Sequence, residues 1–175
     1  TLMNRIIDYE NLSLKIQEWI KNYVTENGIS TLVIGVSGGI DSAVVSTLCA
    51  ETGIPTIVVG MPINSSPENT KLSDLQIALL TTKYENVDGF NIDLTPVFES
   101  FKSHKAFEKT FFSELGFANT KSRLRMMSLY QIAASVDGLV VGTGNKVEDF
   151  GVGFYTKYGD GGVDISPIAD LYKSE

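Results

Sequence analysis

The chain has 175 residues, of which 43% are hydrophobic and 20% charged, and a formal net charge of −7, which together describe one globular domain. An acidic chain repels phosphate backbones, and no apolar run approaches the roughly 20 residues of a membrane span, so we expect neither a nucleic-acid nor a membrane partner. A single cysteine excludes an intramolecular disulfide and the N-terminus shows no signal-peptide pattern, so we expect a cytoplasmic protein.

Helical and extended segments alternate from the start of the chain. Apolar residues recur at helical spacing over 11–26, which predicts an amphipathic helix. A continuous apolar run at 31–34 predicts a buried parallel strand, because strands covered on both faces lack polar alternation. The pattern then predicts a glycine-rich turn at 35–39, a helix at 41–51 with Val44, Val45 and Leu48 facing inward, a strand at 55–59 and a polar loop at 64–69.

The second half of the chain continues this alternation. Extended segments are predicted at 89–94 and 139–141, and the latter runs directly into Gly142. A short helix or turn is predicted at 96–101, whereas 104–115 shows a mixed pattern. Helical spacing predicts one helix over 119–136 and another that carries Leu72, Leu75, Ala78 and Leu79.

Strands that alternate with helices are typical of right-handed β-α-β crossovers. We therefore predict an α/β fold in which an open parallel sheet carries helices on both faces. Ligands of such sheets bind beyond the carboxyl ends of the strands. Because the glycine-rich segments that begin at Gly35 and Gly142 each follow a predicted strand, we expect them to flank one crevice.

The segment between the first predicted strand and the next helix reads Ser-Gly-Gly-Ile-Asp-Ser over 37–42. Adjacent glycines let backbone N–H groups approach a ligand, and the helix start adds unpaired N–H groups and a positive dipole end. Ser37 and Ser42 add hydroxyl donors, whereas Asp41 suits a phosphate only if a divalent cation lies between the two anions. The alternative is a tight turn in which Asp41 stabilises only the helix start. There is no Gly-Lys-Ser/Thr and no GxGxxG, which argues against a Walker A loop and a dinucleotide fingerprint.

Four motifs resemble those of a known family. Residues 37–42 resemble the pyrophosphate-binding loop of the N-type ATP pyrophosphatases. Three later motifs resemble ammonia-dependent NAD synthetase in order and spacing: Asn-Thr-Lys-Ser-Arg-Leu-Arg-Met at 119–126, Gly-Thr-Gly-Asn-Lys-Val-Glu at 142–148 and Thr-Lys-Tyr-Gly-Asp-Gly-Gly-Val-Asp at 156–164. The resemblance runs from about Leu12 to Lys173, which is nearly the whole chain.

This resemblance implies an adenine-nucleotide-hydrolase-like (Rossmann-like) three-layer sandwich. It implies a single ATP pyrophosphatase-type NAD synthetase domain over 1–175 that lacks its C-terminal part, because members of the family continue for several tens of residues. The implied reaction is the ATP-dependent amidation of deamido-NAD with ammonia to give NAD, through an adenylated nicotinate carboxylate and with release of pyrophosphate and AMP. Mg²⁺ is the implied cofactor, ATP the co-substrate and a homodimer the implied assembly.

The same resemblance implies roles for individual residues. The implied deamido-NAD contacts are Arg123, Lys157 and Asp164, and the implied metal ligands are Asp41 and Glu148. The implied catalytic residues are Asp41, Glu148, Lys173 and, for placing ammonia, Asp160. The implied ATP contacts are Gly35, Val36, Ser37, Gly38, Gly39, Ile40, Asp41, Ser42, Thr143 and Lys173.

Two other functions are compatible with parts of this pattern. An amidating enzyme of the same group, such as the ATP pyrophosphatase part of GMP synthetase, would share the loop at 37–42, but the run at 156–164 argues against it. A non-catalytic adenine-nucleotide sensor would keep the fold, but two metal carboxylates, Asp41 and Glu148, have little use in a protein that only binds. Pyrophosphate release that depends on deamido-NAD would separate all three functions.

Two potentially reactive side chains are expected to take no part in chemistry. Cys49 lies in an apolar helical segment and is predicted to be a core residue. His104, the only histidine, lies between Ser103 and Lys105 and is predicted to be exposed, so we expect no histidine-based triad.

Overall fold

Strands and helices alternate through the computed structural model, which describes residues 9–144, 158–159 and 161–169. Among the described helices, none has the length and the apolar character needed to cross a membrane. In chain order the elements are α1 (Tyr9–Glu26), β1 (Thr31–Val36), α2 (Ile40–Glu51), β2 (Thr56–Gly60), α3 (Pro67–Lys83), β3 (Val87–Asn91), α4 (Thr95–Lys102), α5 (Lys105–Lys109), α6 (Glu114–Ser135) and β4 (Gly138–Val141).

β1 lies inside the sheet, between β2 and β4. Over the described residues the strand order is β3-β2-β1-β4, and every neighbouring pair is parallel. The chain therefore moves outward from β1 to β3 on one side and returns to add β4 on the other side. The order of the strands reverses between β1 and β4, and ligands of open α/β sheets bind at such a reversal.

Helices cover both faces of the sheet. Alternate residues of β1 point to opposite faces: Leu32 and Ile34 belong to the core beneath α1, α2 and α3, whereas Val33 belongs to the core beneath α4 and α6. Burial on both faces explains why the run at 31–34 shows no polar alternation. The predicted open parallel sheet with helices on both faces is confirmed.

Two helices begin earlier than the sequence pattern predicts. The Ser66 side chain accepts a hydrogen bond from a backbone N–H of the first turn of α3, so residues 67–69 are helical rather than part of a loop. The Ser113 side chain accepts a hydrogen bond from the Gly116 N–H at 3.0 Å, and α6 begins at Glu114 rather than near 119. A capping serine determines where each of these helices begins, and the spacing of apolar residues gives no sign of such a cap.

The inward face of α3 is not its leucine-rich face. Leu72, Leu75 and Leu79 are 50, 56 and 58% exposed. Ser73 lies on the buried side instead, and its hydroxyl donates to the Val36 carbonyl at the end of β1, at 3.0 Å. A polar contact to the sheet therefore helps to set the orientation of α3.

Two further predictions need correction. Val44 is 45% exposed rather than inward-facing, because it is adjacent to the fully buried Val45 and successive helical residues point about 100° apart. The third strand spans Val87–Asn91 rather than 89–94, since its register with β2 begins at Val87. Because most residues of β3 are at least partly exposed, the strand has no continuous apolar run. The sequence pattern therefore predicts its ends incorrectly.

Cys49 and His104 lie where the sequence places them. Cys49 is fully buried, and burial raises the pKa of its thiol to about 12. His104 is exposed, and its Nδ1 accepts a hydrogen bond from the Ala106 N–H at 3.2 Å. The histidine therefore caps the short helix α5.

Candidate active site

A cavity of about 450 Å³ lies at the reversal between β1 and β4. Gly35 and Ser37 at the end of β1 form one part of its wall, and Gly142 and Thr143 after β4 form another. The prediction that the two glycine-rich segments flank one crevice is confirmed. Cavities of this size accommodate small-molecule ligands. Helices α3 and α6 contribute Asn69, Thr70, Ser73, Ser122, Arg125, Met126 and Leu129 to the wall.

Residues 37–42 form a tight turn against the start of α3. Gly38 has a φ of +85°, and a Cβ at this position would lie 2.8 Å from the Asn69 carbonyl oxygen, so the turn requires glycine. The N-cap of α2 is Gly39, which offers no side-chain cap. The first turn of α2 therefore lacks a covering cap side chain, as expected of a site that receives an anion.

The two serines of this turn bond to each other. Ser37 Oγ donates to Ser42 Oγ at 3.2 Å, and Ser42 Oγ donates to the Gly39 carbonyl at 3.2 Å. The backbone N–H groups of Ser37 and Gly39 donate in turn to Ser42 Oγ and Ser37 Oγ. The hydroxyls thus hold the shape of the turn, a role that the motif alone did not indicate.

Asp41 is half-buried in the first turn of α2. It directly precedes Ser42, which lines the cavity. Its predicted partner at the metal, Glu148, lies outside the described residues. Within residues 9–144 and the described part of 158–169, no group of three or more carboxylate, histidine or cysteine side chains is placed to hold a metal. A carboxylate at a helix start beside a cavity does fit Mg²⁺, which takes one or two protein carboxylates and completes its shell with phosphate oxygens and water.

Helix α6 separates two sets of residues. Ser122, Arg125 and Leu129 recur at helical spacing and line the cavity. Arg123 and Tyr130 are seven residues apart, so they share a different side of the helix, and neither belongs to the described cavity wall. Met126, which also lines the cavity, lies about 60° from Arg123 around the helix, so the predicted deamido-NAD residue Arg123 lies next to the cavity-lining side but outside the described wall.

Asp164 is held beside that second side of α6 by two hydrogen bonds. The Tyr130 hydroxyl donates to Asp164 Oδ1 at 3.0 Å, and the Val140 N–H donates to Oδ2 at 2.8 Å. The Asp164 side chain stays exposed, and a carboxylate has about four acceptor positions, so further donors can reach it. Through Tyr130, the fold brings Arg123 and Asp164 to the same side of α6.

Comparison with known families adds the decisive observation. The family model described as NAD synthase matches residues 12–175. The chain belongs to the NAD synthase family. The resemblance read from the motifs at 37–42, 119–126, 142–148 and 156–164 is therefore confirmed.

Curated relatives are similar to this chain over almost its whole length. The NH(3)-dependent NAD(+) synthetase of Methanosarcina acetivorans is 37% identical over 169 residues, which are 97% of this chain and 65% of the relative. The NH(3)-dependent NAD(+) synthetase of Saccharolobus solfataricus is 39% identical over 173 residues, which are 97% of this chain and 58% of the relative. The chain thus spans about 58–65% of the length of these two relatives.

Solved structures of similar proteins agree with membership of this family. An NH3-dependent NAD synthetase from Campylobacter jejuni, in complex with the nitrate ion, has a TM-score of 0.82 and 30% identity over 97% of this chain and 70% of its own. An NMN synthetase from Francisella tularensis has a TM-score of 0.82 and 33% identity over 94% of this chain and 66% of its own. The predicted Rossmann-like three-layer fold is confirmed.

Several predicted site residues lie outside the described residues: Glu148, Lys157, Asp160 and Lys173. Conversely, sequence reasoning missed two residues of α6, namely Arg125 in the cavity wall and Tyr130 against Asp164. Helical spacing was the available signal, since it separates Arg125 from Arg123. Spacing alone does not say which side of α6 faces the cavity.

Tyr130→Phe is expected to destabilise the protein by about 1 kcal/mol near pH 8, because Asp164 loses a hydroxyl donor on a partly exposed surface. Urea denaturation of the intact protein measures the loss. Tyr84→Phe is the matched control, because the Tyr84 hydroxyl reaches Glu51 Oε1 only at 3.4 Å and a smaller loss is expected. Equal stability of wild type and Tyr130→Phe would contradict this assignment.

The contribution of Tyr130 is expected to vanish in alkali. Burial, followed by the hydrogen bond and charge of Asp164, raises the pKa of Tyr130 from its ordinary value near 10 to about 12. A tyrosine whose pKa is raised in the folded state contributes its full stabilisation below about pH 10 and loses it as the pH rises towards 12. The stability difference between wild type and Tyr130→Phe should therefore shrink across that interval.

Proposed function

We propose that the protein is an ammonia-dependent NAD synthetase, which amidates deamido-NAD with ammonia and uses ATP to activate the nicotinate carboxylate. The observation that supports the proposal is the placement of α6. Its cavity-lining residues share a wall with Gly35 and Thr143, which are predicted ATP contacts, and a neighbouring side of the helix carries Arg123 and, two turns further on, Tyr130 with its hydrogen bond to Asp164. Two anionic reactants would meet at this one helix. The names of relatives that are 37 and 39% identical support the same reaction.

Activation of the carboxylate needs neutralisation of charge rather than a base. The nicotinate carboxylate is already ionised, so one of its oxygens bonds to the α-phosphorus as the bond to pyrophosphate breaks and pyrophosphate leaves with the electron pair. The first turn of α2 would donate backbone N–H groups to the phosphates, and Lys173 would add a cation. Asp41 and Glu148 would hold Mg²⁺, which supplies positive charge to the phosphate oxygens when bound.

The second step transfers the acyl group to nitrogen. Ammonia attacks in its neutral form, so a carbon–nitrogen bond forms as the carbon–oxygen bond to AMP breaks. One proton must then leave the nitrogen, and Asp160 would accept it. The products are NAD, AMP and pyrophosphate.

Release of pyrophosphate by the intact protein tests this proposal. With ATP, Mg²⁺ and ammonium chloride, we expect release only in the presence of deamido-NAD, together with equal amounts of NAD and AMP. A second candidate substrate is nicotinate mononucleotide, because an NMN synthetase is 33% identical with a TM-score of 0.82. Release with nicotinate mononucleotide in place of deamido-NAD would favour that reaction. ATP binding without release from either substrate would favour a nucleotide sensor.

Arg123→Ala is expected to weaken deamido-NAD binding by roughly 1.5–3 kcal/mol, the range for a hydrogen bond to a charged group, and to leave ATP affinity almost unchanged. Calorimetric titration of each ligand into each variant measures both effects. Lys83→Ala is the control, since Lys83 lies at the end of α3 over the Tyr84 ring and away from the cavity wall. If Arg123→Ala instead weakens ATP and spares deamido-NAD, this assignment of Arg123 is wrong.

A cytoplasmic location and a homodimer are the remaining parts of the proposal. The single cysteine supports a reducing compartment. Large apolar side chains remain exposed near the start of α6, with Phe111, Phe112 and Leu115 exposed by 70, 56 and 72%, and surfaces of this kind are typical of protein contacts. Light scattering on the intact protein measures the assembly, and a monomer at micromolar concentration would contradict the dimer.

A further inference from the structure

Among the described residues of the cavity wall, the charged one is Arg125. It lies on α6, three residues after Ser122 and four before Leu129, and all three line the cavity. Every other described residue of that wall is uncharged. The described wall therefore carries one positive charge and no carboxylate.

Among contacts with the described residues, one nitrogen of Arg125 is hydrogen-bonded and the other two are not. Its Nε donates to the Met61 carbonyl, just beyond the end of β2, at 2.9 Å. No described residue accepts a hydrogen bond from either Nη. Since no fully buried side-chain nitrogen among the described residues lacks a partner, the Nη groups keep some contact with solvent. The bond at Nε restrains the guanidinium plane of a residue that lines the cavity, and it leaves both Nη groups available to a ligand.

This charge is partly withdrawn from water. Burial lowers the pKa of Arg125, and desolvation is the cause. Placing a cation in such a position costs free energy unless an opposite charge offsets it, and the described cavity wall offers none. A planar guanidinium with free Nη groups suits the paired oxygens of a phosphate or carboxylate better than an ammonium does.

We propose that Arg125 binds the triphosphate of ATP through its Nη groups. The proposal rests on the ATP-dependent reaction proposed above. The triphosphate is favoured over the nicotinate substrate because Arg125 shares the cavity with Gly35, Ser37 and Thr143. Arg123, two residues earlier, points about 200° away around the helix, towards the side that carries Tyr130 and Asp164. Neighbouring arginines of one motif thus bind different reactants.

Arg125→Gln separates the two tasks of this side chain. Glutamine carries its amide nitrogen on Cδ, the atom that bears Nε in arginine, so it can still donate to the Met61 carbonyl. It lacks the Nη groups and the charge. We expect ATP to bind about 10- to 100-fold more weakly in calorimetric titration, with deamido-NAD binding and melting temperature close to wild type. Raising the salt concentration should weaken ATP binding less in Arg125→Gln than in wild type.

Lys102→Gln is the matched control, because it removes the same charge from α4, where Lys102 lies over the Phe117 ring outside the cavity wall. Its ATP affinity should equal that of wild type. If Arg125→Gln lowers the melting temperature, a second variant, Arg125→Lys, replaces it in the test. Lysine keeps the positive charge but lacks the planar guanidinium, so we expect wild-type stability and an ATP affinity between those of wild type and Arg125→Gln. Wild-type ATP affinity in Arg125→Gln, or loss of deamido-NAD binding alone, would overturn the proposal. Wild-type protein that binds ATP through Arg125 but releases no pyrophosphate would instead refute the proposed reaction.

Discussion

Asp41→Asn is expected to lower Mg²⁺-dependent turnover by about 10²–10³-fold, the usual loss when one preorganised electrostatic group is removed from an active site. The change is nearly isosteric and lies in the first turn of α2, where the carboxylate also interacts with the helix dipole, so a loss of only about 0.3–1 kcal/mol in stability is expected. The variant should fold and still bind ATP in the absence of metal. Steady-state kinetics across a Mg²⁺ titration measure the effect.

Asp88→Asn provides the control for this experiment. Asp88 is exposed on β3 and does not line the cavity, so removing its charge should change neither turnover nor the Mg²⁺ dependence. Near-normal turnover of Asp41→Asn with an unchanged Mg²⁺ dependence would refute a metal role for Asp41. The carboxylate would then only stabilise the start of α2.

Gly38→Ala is expected to destabilise the protein by about 3 kcal/mol and to abolish measurable ATP binding. A side chain at a left-handed φ of +85° costs about 1–2 kcal/mol. In addition, the new Cβ would lie 2.8 Å from the Asn69 carbonyl oxygen, and a backbone atom cannot move aside without shifting α3. Chemical denaturation and calorimetric titration with ATP measure the two effects.

Gly53→Ala isolates the cost of the backbone angle. Gly53 has a φ of +76°, and nothing lies within 4 Å of the position of its Cβ, so this variant should lose only about 1–2 kcal/mol and keep its ATP affinity. The difference between the two variants measures the collision with α3. Equal losses in Gly38→Ala and Gly53→Ala would show that the turn does not depend on close contact with Asn69.

The parallel sheet was predictable because burial on both faces leaves a direct mark on the sequence. Residues 32–34 are continuously apolar, since Val33 and Ile34 pack into different cores. The orientation of α3 was not predictable, because Leu72 and its leucine neighbours are exposed while Ser73 bonds to the sheet. Apolar periodicity detects burial, and it does not detect a hydroxyl that satisfies a strand-end carbonyl.

The candidate site also has a part that could be predicted from the sequence and a part that could not. The meeting of Gly35 with Gly142 was predictable, because both follow parallel strands whose carboxyl ends share one edge of the sheet. The roles of Tyr130 and Arg125 depend on contacts with Asp164 and Met61, which lie 34 and 64 residues away along the chain. Such contacts follow from how α6 packs on the sheet, and a single sequence contains no local signal for them.

Because Cys49 is buried, we expect the folded protein not to react with thiol reagents. With a pKa of about 12, roughly one thiol in 10⁵ is ionised at pH 7, and the sulfur is also shut off from solvent. We therefore expect neither maleimides nor mild oxidants to modify Cys49 in the folded protein. A cysteine introduced at an exposed position such as Leu79 can carry a fluorophore or spin label, and the native residue need not be replaced.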